Sequence, residues 1–191
     1  MRHPGPDSEA ALRVLAGRRS IYSFAPTPLD EAVIRTALDM AVLAPNHRLT
    51  RPWRFAVFLG DARLRLGDAL AAAACAAGSS PERARRIAST SPALICVGVA
   101  PQLDRPKIVE REEALSVAAA MQNLLLALHA LGVGSLWTTG KNADTAEVKE
   151  LLGWRGRDDH VIGIVLAGYP APDNRLISRP IDHSAFTTWY R

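Results

Sequence analysis

The chain has 191 residues and only two cysteines, Cys75 and Cys96. Cys75 lies in an alanine-rich segment and Cys96 in an apolar run, so both are expected to be buried as small hydrophobic side chains. Two such cysteines do not form a disulfide framework, which argues against a disulfide-stabilised secreted scaffold. Because the first six residues are polar and proline-bearing, unlike a secretory signal, we expect a cytoplasmic protein.

The sequence also lacks a long, uninterrupted apolar run. Its longest apolar stretch, residues 114–134, is interrupted by Ser116, Gln122, Asn123 and His129. A segment that spans a bilayer needs about 20 predominantly apolar residues with few polar ones. The stretch therefore predicts a buried helix, and no membrane partner is expected.

The common catalytic and metal-binding signatures are missing as well. We find no HExxH, CxxC or G-x-S-x-G, and no G-x-G-x-x-G after a strand. The five histidines are dispersed and show no metal-ligand spacing, so no metal is predicted. The segment from Gly134 to Lys141 is not a phosphate loop, because Gly134 and Gly140 are six positions apart and Asn142 replaces the required serine or threonine.

The positive charge is small and scattered. The formal net charge is +4, which is consistent with a solvated surface and a basic rim around an anionic ligand. A nucleic-acid-binding module remains a second hypothesis, since arginines cluster at positions 83, 85 and 86 and at 48, 51 and 54. The small charge and the apolar surroundings of the tryptophans make it the weaker one.

Length and composition predict one domain, residues 1–191, in which 48% of residues are hydrophobic. Residues 1–7 are expected to be flexible, and residues 171–191 form a polar tail that ends in aromatic side chains. Helical periodicity and caps predict helices over residues 8–17, 62–77, 82–88, 110–131 and 144–152, with another from a Thr27 cap and Pro28 to just before Pro45. Apolar runs predict strands over residues 53–59, 93–100, 135–139 and 161–167. These elements alone do not determine the topology.

A rigid bend joins the second helix to the first strand. It reads Ala44-Pro45-Asn46-His47 and then Arg51-Pro52-Trp53-Arg54-Phe55. Both prolines fix φ and keep the residues before them out of the helical region. Such a bend can hold Asn46, His47 and Trp53 at the mouth of a core, although an ordinary connection with a buried Trp53 explains the pattern equally simply.

Two further blocks carry polar chemistry. Arg18-Arg19-Ser20 offers two forked cations and a hydroxyl, a combination suited to a terminal phosphate. A solvated helix end is the simpler alternative for this block. The second block, Gly132-Val133-Gly134-Ser135-Leu136-Trp137, closes the long apolar helix.

The order and spacing of these three blocks resemble the nitroreductase family of flavin enzymes, in particular its small YdjA-like branch. That family shows R-R-S near the start, A-P-S/D-x-x-x-Q-P-W after a helix, and G-x-G-x-x-W after the long helix. The resemblance extends from about Leu12 to Pro170. It implies an α+β fold with a mixed central sheet of about four to five strands flanked by helices. It also implies a homodimer whose C-terminal tail, about 171–191, packs on the partner subunit.

A homodimer would also account for two apolar features of the sequence. The helix over 110–131 is apolar on nearly every side, and a second copy covers such a helix more easily than one chain does. The tail carries Phe186, Trp189 and Tyr190, which an isolated tail would expose. These aromatic residues could equally dock on their own subunit.

The resemblance implies FMN as cofactor and NADH or NADPH as electron donor. Hydride would pass from the nicotinamide to flavin N5 and then to an electron-poor acceptor such as a nitroaromatic or quinone, with ping-pong kinetics. No catalytic side chain is expected, because the flavin carries the chemistry. A flavin-binding protein of the same fold without reductase activity is the alternative.

The family pattern also implies a cofactor site. Arg18, Arg19 and Ser20 would bind the phosphate, the ribityl chain or the ring edge. A second group would approach the flavin from the partner subunit: Leu43, Asn46 and His47. A third group would pass the other side of the flavin ring: Trp137, Thr138 and Thr139. Arg175 is a further candidate for the phosphate, on the pattern of a basic residue after the last strand.

Each assignment has a simpler structural alternative. His47 could be an ordinary surface histidine, and Trp137 could belong to the core. Two positions depart from the family pattern: Tyr22 stands where a basic residue is common, and Arg51 stands where glutamine precedes Pro-Trp. The first removes a phosphate-binding cation, and the second alters the charge near the ring.

Overall fold

The structure is a computed structural model that describes residues 7–174, 177 and 181–191. Its described residues form one four-stranded sheet in the order β1-β2-β4-β3, and every strand pairing is antiparallel. The strands are β1 (Trp53–Leu59), β2 (Ala93–Val99), β3 (Gly134–Thr138) and β4 (His160–Gly168). The one parallel pairing that joins this sheet is a bridge between Ser20 and Ser135, so the mixed character expected from the resemblance is confined to that bridge.

The helices surround this sheet and confirm the α+β class. They are α1 (Ser8–Gly17), α2 (Glu31–Ala41), α3 (Ala62–Ala76), α4 (Pro81–Arg85), α5 (Ile87–Thr90), α6 (Glu110–Ala130) and α7 (Ala146–Leu152). The single helix predicted over 82–88 is therefore two short ones. Single 3₁₀ turns lie at His47–Leu49 and Ser184–Phe186.

The caps explain where the first two helices begin. Asp7 caps α1 by accepting the Ala10 N–H at 3.0 Å, which confirms the predicted start and shows that residue 7 is tied to a helix. Helix α2 begins later than predicted, because Asp30 is its cap and accepts the Ala32 N–H at 2.8 Å. An aspartate carboxylate is at least as good a cap as the Thr27 hydroxyl, so the helix begins at Asp30, the cap closer to its apolar residues.

The core has two layers, one on each face of the sheet. Helices α2 and α6 cover one face, where Ala37, Ala41 and Ala120 permit close contact between the helices. Helices α3 and α7 cover the other face. Strand β2 is buried along its whole length, which accounts for its unbroken apolar sequence.

The two cysteines differ in their environment. Cys96 lies in β2, where burial raises the pKa of its thiol to about 12. Cys75 is exposed on α3, so the expectation that it is buried was wrong. Both are free thiols.

Much apolar surface is left uncovered by this single chain. In the tail, Phe186 is 89% exposed and Tyr190 is 93% exposed, so neither docks on its own subunit. Leu12 and Leu15 on α1 and Leu115 on α6 are also exposed. Among the described residues, no helix is both long and apolar enough to cross a bilayer.

The Asp144 side chain forms hydrogen bonds with the first two residues of β4. Its Oδ1 accepts the Val161 N–H at 2.9 Å, and its Oδ2 lies 2.8 Å from His160 Nδ1. Burial acts to raise the pKa of Asp144, but these two hydrogen bonds and the charges of His160 and Lys149 lower it below its ordinary value. The ionised carboxylate therefore stabilises the fold.

We expect Asp144→Asn to lower the melting temperature at pH 7 and to have progressively less effect in acid. A carboxyl group with a lowered folded-state pKa contributes stability above its unfolded pKa of about 3.9, and loses it as pH falls through the folded value. Melting curves of both proteins at pH 7 and about pH 3 check this. Asp158→Asn is the control, since Asp158 only approaches the exposed Arg157 at 4.0 Å. An equal deficit at both pH values would contradict the assignment.

Candidate functional site

The Arg18-Arg19-Ser20 block lies along the free edge of β3. Ser20 bridges Ser135, and the Ile21 N–H donates to the Ser135 carbonyl at 3.0 Å. Gly134 allows this approach, because a Cβ there would lie 2.8 Å from Ile21 Cγ1. The fold thus brings the first and third sequence blocks together at one edge of the sheet.

A cavity of about 390 Å³ opens beside this edge. We name it the Arg18 cavity; its polar lining comes from Arg18, Arg19, His129, Ser135 and Asn174. The Arg19 guanidinium donates to the Ala16 carbonyl and, at 2.9 Å, to the Arg18 carbonyl, so it is anchored on the end of α1. A smaller cavity of about 150 Å³ continues past Ser20 to Tyr22 and Ile177.

The fit of an oxyanion here is decided by the cations. Arg18 and Arg19 both line the Arg18 cavity, and paired guanidinium groups suit a terminal phosphate. Ser135 adds no accessible hydroxyl, because its side chain is buried at 2% exposure and its Oγ is closed off from solvent, without a hydrogen-bond partner among the described residues. The arginines that line the cavity therefore fit the phosphate of FMN.

Asn174 closes the Arg18 cavity, and the sequence reasoning missed it. Its Nδ2 donates to the carbonyls of Ser23 and Ala171 at 2.6 and 2.8 Å, while its Oδ1 accepts the N–H groups of Tyr22 and Ser23. The only sequence signal is an asparagine in a proline-bearing turn, where its side chain replaces backbone partners. Arg175, the neighbouring candidate, lies outside the described residues.

A second cavity, of about 660 Å³, opens at the other end of β3. We name it the Thr138 cavity; Thr138 and residues 140–143 form one wall, and Arg83, Ala84 and Ile87 form the opposite wall. Leu70 and Ile164 add apolar lining, and they place this cavity on the face of the sheet opposite to that of the Arg18 cavity.

Two cations stand at the rim of the Thr138 cavity. Arg83 and Lys141 are exposed, and neither forms an ion pair with any described residue. No acidic side chain of the described residues lines the cavity. The sequence reasoning considered Arg83 only for nucleic acid and met Lys141 only at the end of the rejected phosphate-loop segment. Positive charge at this rim suits the electron-rich edge of a reduced flavin.

Trp137, Thr138 and Thr139 lie between the two cavities. Trp137 is 37% exposed, so it is not a core residue, and its indole covers Gly163 of β4. Thr138 is half-buried and lines the Thr138 cavity, whereas Thr139 follows the end of β3 and is exposed.

Leu43, Asn46 and His47 lie elsewhere, in the loop before β1. Leu43 is 70% exposed, and His47 is exposed as well. Asn46 shapes the bend by accepting the Arg51 N–H at 3.0 Å through Oδ1. Since β1 and β3 are opposite edges of the sheet, three strand spacings, or about 14 Å, separate this loop from the β3 edge. One chain therefore brings together only two groups of the expected site, residues 18–20 and residues 137–139.

Comparison with known proteins agrees with this architecture. The family model described as Nitroreductase family matches residues 15–169. The chain belongs to the nitroreductase family. YdjA of Escherichia coli (strain K12), whose name refers to NAD(P)H nitroreductase activity, is 30% identical over 184 residues, 94% of this chain and 99% of YdjA. YfhC of Bacillus subtilis (strain 168) is 29% identical and covers 82% of each chain.

Solved structures confirm the nitroreductase-like fold. A nitroreductase-like family protein from Bacillus cereus superposes with a TM-score of 0.79 at 24% identity, covering 94% of this chain and 95% of that one. The FMN-dependent nitroreductase NfnB from Mycobacterium smegmatis, solved in complex with NADPH, gives 0.75 at 21% identity, with 96% and 99% covered. A Desulfovibrio desulfuricans structure with FMN gives 0.71 at 24% identity and covers 99% and 100%.

In this member of the nitroreductase family, the loop before β1 is held by a buried carboxylate that the sequence reasoning also missed. Glu113 of α6 is fully buried; its Oε1 accepts the Thr50 hydroxyl at 2.6 Å and its Oε2 accepts the Gln102 N–H at 3.2 Å. Gln102 Nε2 in turn donates to the Thr50 carbonyl at 2.6 Å. The signal was a glutamate on the inward stripe of an otherwise apolar helix.

The Glu113 hydrogen bonds, here called the Glu113 clamp, hold a loop whose backbone conformation is unfavourable. Arg48, Leu49 and Arg51 have φ values of 53°, 52° and 52°, in the left-handed region that non-glycine residues rarely adopt. Such conformations persist only where their surroundings enforce them, and they concentrate at functional sites. The Glu113 hydrogen bonds supply that enforcement here.

Gly163 gives a testable prediction at the β3 edge. A Cβ at this position would lie 2.8 Å from the Thr138 carbonyl oxygen and would overlap Trp137 Nε1. We expect Gly163→Ala to displace Trp137 and to lower the free energy of unfolding by about 1–3 kcal/mol. Tryptophan fluorescence and urea titration measure the two effects.

The matched control is Gly140→Ala, because a Cβ at Gly140 meets no atom within 4 Å. It should leave both the fluorescence and the unfolding midpoint near those of the unmodified protein. If both variants behaved alike, the close packing of Trp137 on Gly163 would be wrong.

Proposed function

We propose that this nitroreductase family member is an FMN-dependent NAD(P)H oxidoreductase that works as a homodimer. The observation that carries the proposal is the Arg18 cavity beside the free edge of β3, which Arg18 and Arg19 line and which suits a terminal phosphate. The Thr138 cavity at the other end of β3, on the opposite face of the sheet, adds an apolar space with cations at its rim. We propose that the strand between them, which carries Trp137, positions the ring of FMN.

Different residues would bind different parts of FMN. Arg18, Arg19 and Ser20 would hold the phosphate end, with Arg175 as the expected additional cation. Trp137, Thr138 and Thr139 would lie along the ring, where their backbone groups and hydroxyls can bond to its heteroatoms. Arg83 and Lys141 would place positive charge beside the ring edge, which favours the reduced, anionic form of a flavin.

A second copy would complete the site. The segment Leu43–His47 stands at the opposite sheet edge, so in our proposal it serves the cofactor held by the partner subunit. Exposed apolar side chains on α1, on α6 and in the tail, among them Leu15, Leu115 and Phe186, support an extensive interface. The exchanged tail, about 171–191, would cover part of it.

FMN, when bound, accepts a hydride from NADH or NADPH at N5 and delivers it to an electron-poor acceptor such as a nitroaromatic or quinone. This chain's residues would bind and orient the ring and leave one face open to both substrates in turn, which gives ping-pong kinetics. Free thiols at Cys75 and Cys96 support a cytoplasmic location for this reaction.

The test is the visible absorption spectrum of the pure protein, before and after anaerobic addition of NADH or NADPH. We expect flavin bands that bleach when the reduced nicotinamide is added and return when a quinone is added. A protein that stays colourless after incubation with FMN would rule out the proposal. Flavin bands that neither NADH nor NADPH bleaches would instead support the flavin-binding protein without reductase activity.

The nucleic-acid hypothesis has less support. Trp53 is buried in the core next to β2, so it cannot stack on bases. Arg85 is paired with Asp68 at 2.8 Å, and Arg54 donates to the Trp53 carbonyl at 2.9 Å. These arginines thus already have partners within the chain.

A further inference from the structure

A third basic side chain lies in the Arg18 cavity. His129 comes from the last turn of α6, and its imidazole lies against the end of α1. Gly17 makes this possible, because a Cβ at Gly17 would be 2.9 Å from His129 Nε2. His129, Arg18 and Arg19 therefore line one space.

The charges around this imidazole all have the same sign. Burial lowers the pKa of His129 below its ordinary value, and the neighbouring charges of Arg18 and Arg19 lower it further. No carboxylate among the described residues lines the cavity to offset them. Without a bound anion, His129 is thus held neutral at pH 7, although it is surrounded by groups suited to an anion.

We propose that His129 is the third basic ligand of a phosphate monoester bound in the Arg18 cavity, and that it takes up a proton when the phosphate binds. The identification of this phosphate with that of FMN rests on the proposed function. A nucleotide phosphate has the same chemistry, and the experiment below separates the two sources.

The coupling follows from electrostatics and linkage. A phosphate dianion offsets the two guanidinium charges, so the protonated imidazole becomes favourable and donates to a phosphate oxygen. Linkage is reciprocal: if phosphate raises the proton affinity of His129, a proton on His129 raises the affinity for phosphate by the same factor. Affinity gained through His129 therefore appears as pH falls through the midpoint of His129 in the phosphate complex and levels off below its midpoint without phosphate, and it amounts to at most about tenfold per pH unit for one proton.

The phosphate itself complicates a simple pH profile. Its second pKa is about 6, so it loses a charge in the same range and binds less strongly to cations. A comparison with His129→Gln removes this effect, because the glutamine variant keeps the size and polarity of the side chain but cannot titrate. The difference between the two profiles is due to His129 alone.

The decisive experiment is an NMR titration of the imidazole Cε1–H signals of the full-length protein between about pH 5 and pH 8. The His129 signal is assigned by its loss in His129→Gln. Titrations are run without ligand and with saturating inorganic phosphate, FMN, riboflavin or 2′-AMP. His160, which is bonded to Asp144 away from this cavity, serves as the internal control.

We expect the midpoint of His129 to lie below about 6.5 without ligand and to rise by at least one pH unit with any phosphate that binds, while riboflavin leaves it unchanged. A rise with FMN identifies the flavin phosphate as the source. A rise with inorganic phosphate or 2′-AMP but none with FMN would keep His129 as a phosphate ligand and overturn the flavin assignment. A midpoint that none of the phosphates moves would overturn the proposal.

A second variant tests the geometry independently. Gly17→Ala would push the imidazole away from the end of α1 but leave every charged group in place. We expect a smaller phosphate-induced rise in the His129 midpoint and a smaller gain in affinity at low pH. If Gly17→Ala behaved like the unmodified protein in both, the position of His129 against Gly17 would be irrelevant to binding and the proposal would fail.

Discussion

Arg18→Ala is expected to weaken FMN binding by about 10- to 150-fold, which corresponds to the loss of a charge-assisted hydrogen bond of about 1.5–3 kcal/mol. Arg18 lines the Arg18 cavity together with Arg19, so in our proposal its guanidinium acts on the phosphate and not on the ring. The measurement is a titration in which the fluorescence of FMN changes on binding. Riboflavin, which has no phosphate, should bind to both proteins with similar affinity.

The matched control is Arg13→Ala on the same helix. Arg13 is exposed, pairs with Glu9 at 2.7 Å and does not line the cavity, so its loss should leave FMN affinity unchanged. Arg18→Lys separates charge from geometry, because lysine keeps the charge but not the planar fork. Equal FMN affinity in Arg18→Ala and the unmodified protein would show that the phosphate lies elsewhere.

Glu113→Ala is expected to lower the free energy of unfolding by about 3 kcal/mol or more. It leaves the buried Thr50 hydroxyl with only the longer contact to the His47 carbonyl at 3.3 Å and the half-buried Gln102 N–H without its carboxylate acceptor, and each buried group left unsatisfied costs about 1–3 kcal/mol. It also empties a fully buried position at the start of α6. Urea-induced unfolding, followed by circular dichroism, measures the loss.

The free energy of unfolding of Glu113→Gln should lie between those of the unmodified protein and of Glu113→Ala. The amide oxygen can accept one hydrogen bond, but the amide NH₂ presents a donor to the second N–H or hydroxyl. Glu112→Ala is the control on the same helix, since Glu112 is exposed. The loop with Arg48 and Leu49 should also loosen, so both Glu113 variants should bind FMN less tightly if that loop serves the partner's cofactor. Glu113→Ala with the stability of Glu112→Ala would contradict the clamp.

The sequence predicted the strands well, because the central strands are buried on both faces and leave an unbroken apolar run. The predicted strand over 53–59 agrees with β1, and the other strands differ by one or two residues at their ends. Helix α2 was placed too early, since Thr27 and Asp30 are both good caps and sequence alone does not rank them. Cys75 was expected inside because alanine-rich helices are often buried, but its face of α3 is exposed.

The candidate site was predictable only where its residues form compact motifs. Arg18, Arg19, Ser20 and the strand with Trp137 were proposed in this way, and the structure places them at one edge of the sheet. Glu113 bonds Thr50 across 63 positions of sequence, so no local pattern relates the two. The edge at which each motif lies was also not predictable, since strand order depends on pairing between distant segments.

The central claim is that each flavin is held by the β3 edge of one chain and by the Leu43–His47 loop of the other. A mixing experiment tests it: Arg18→Ala impairs the edge, and Leu43→Ala with His47→Ala impairs the loop. Each protein alone should retain little FMN. After the two are unfolded together in equal amounts and refolded, half of the dimers should be mixed and have one intact site, so about a quarter of all sites should bind FMN again. No recovery of FMN binding in the mixture would contradict a site shared between two subunits.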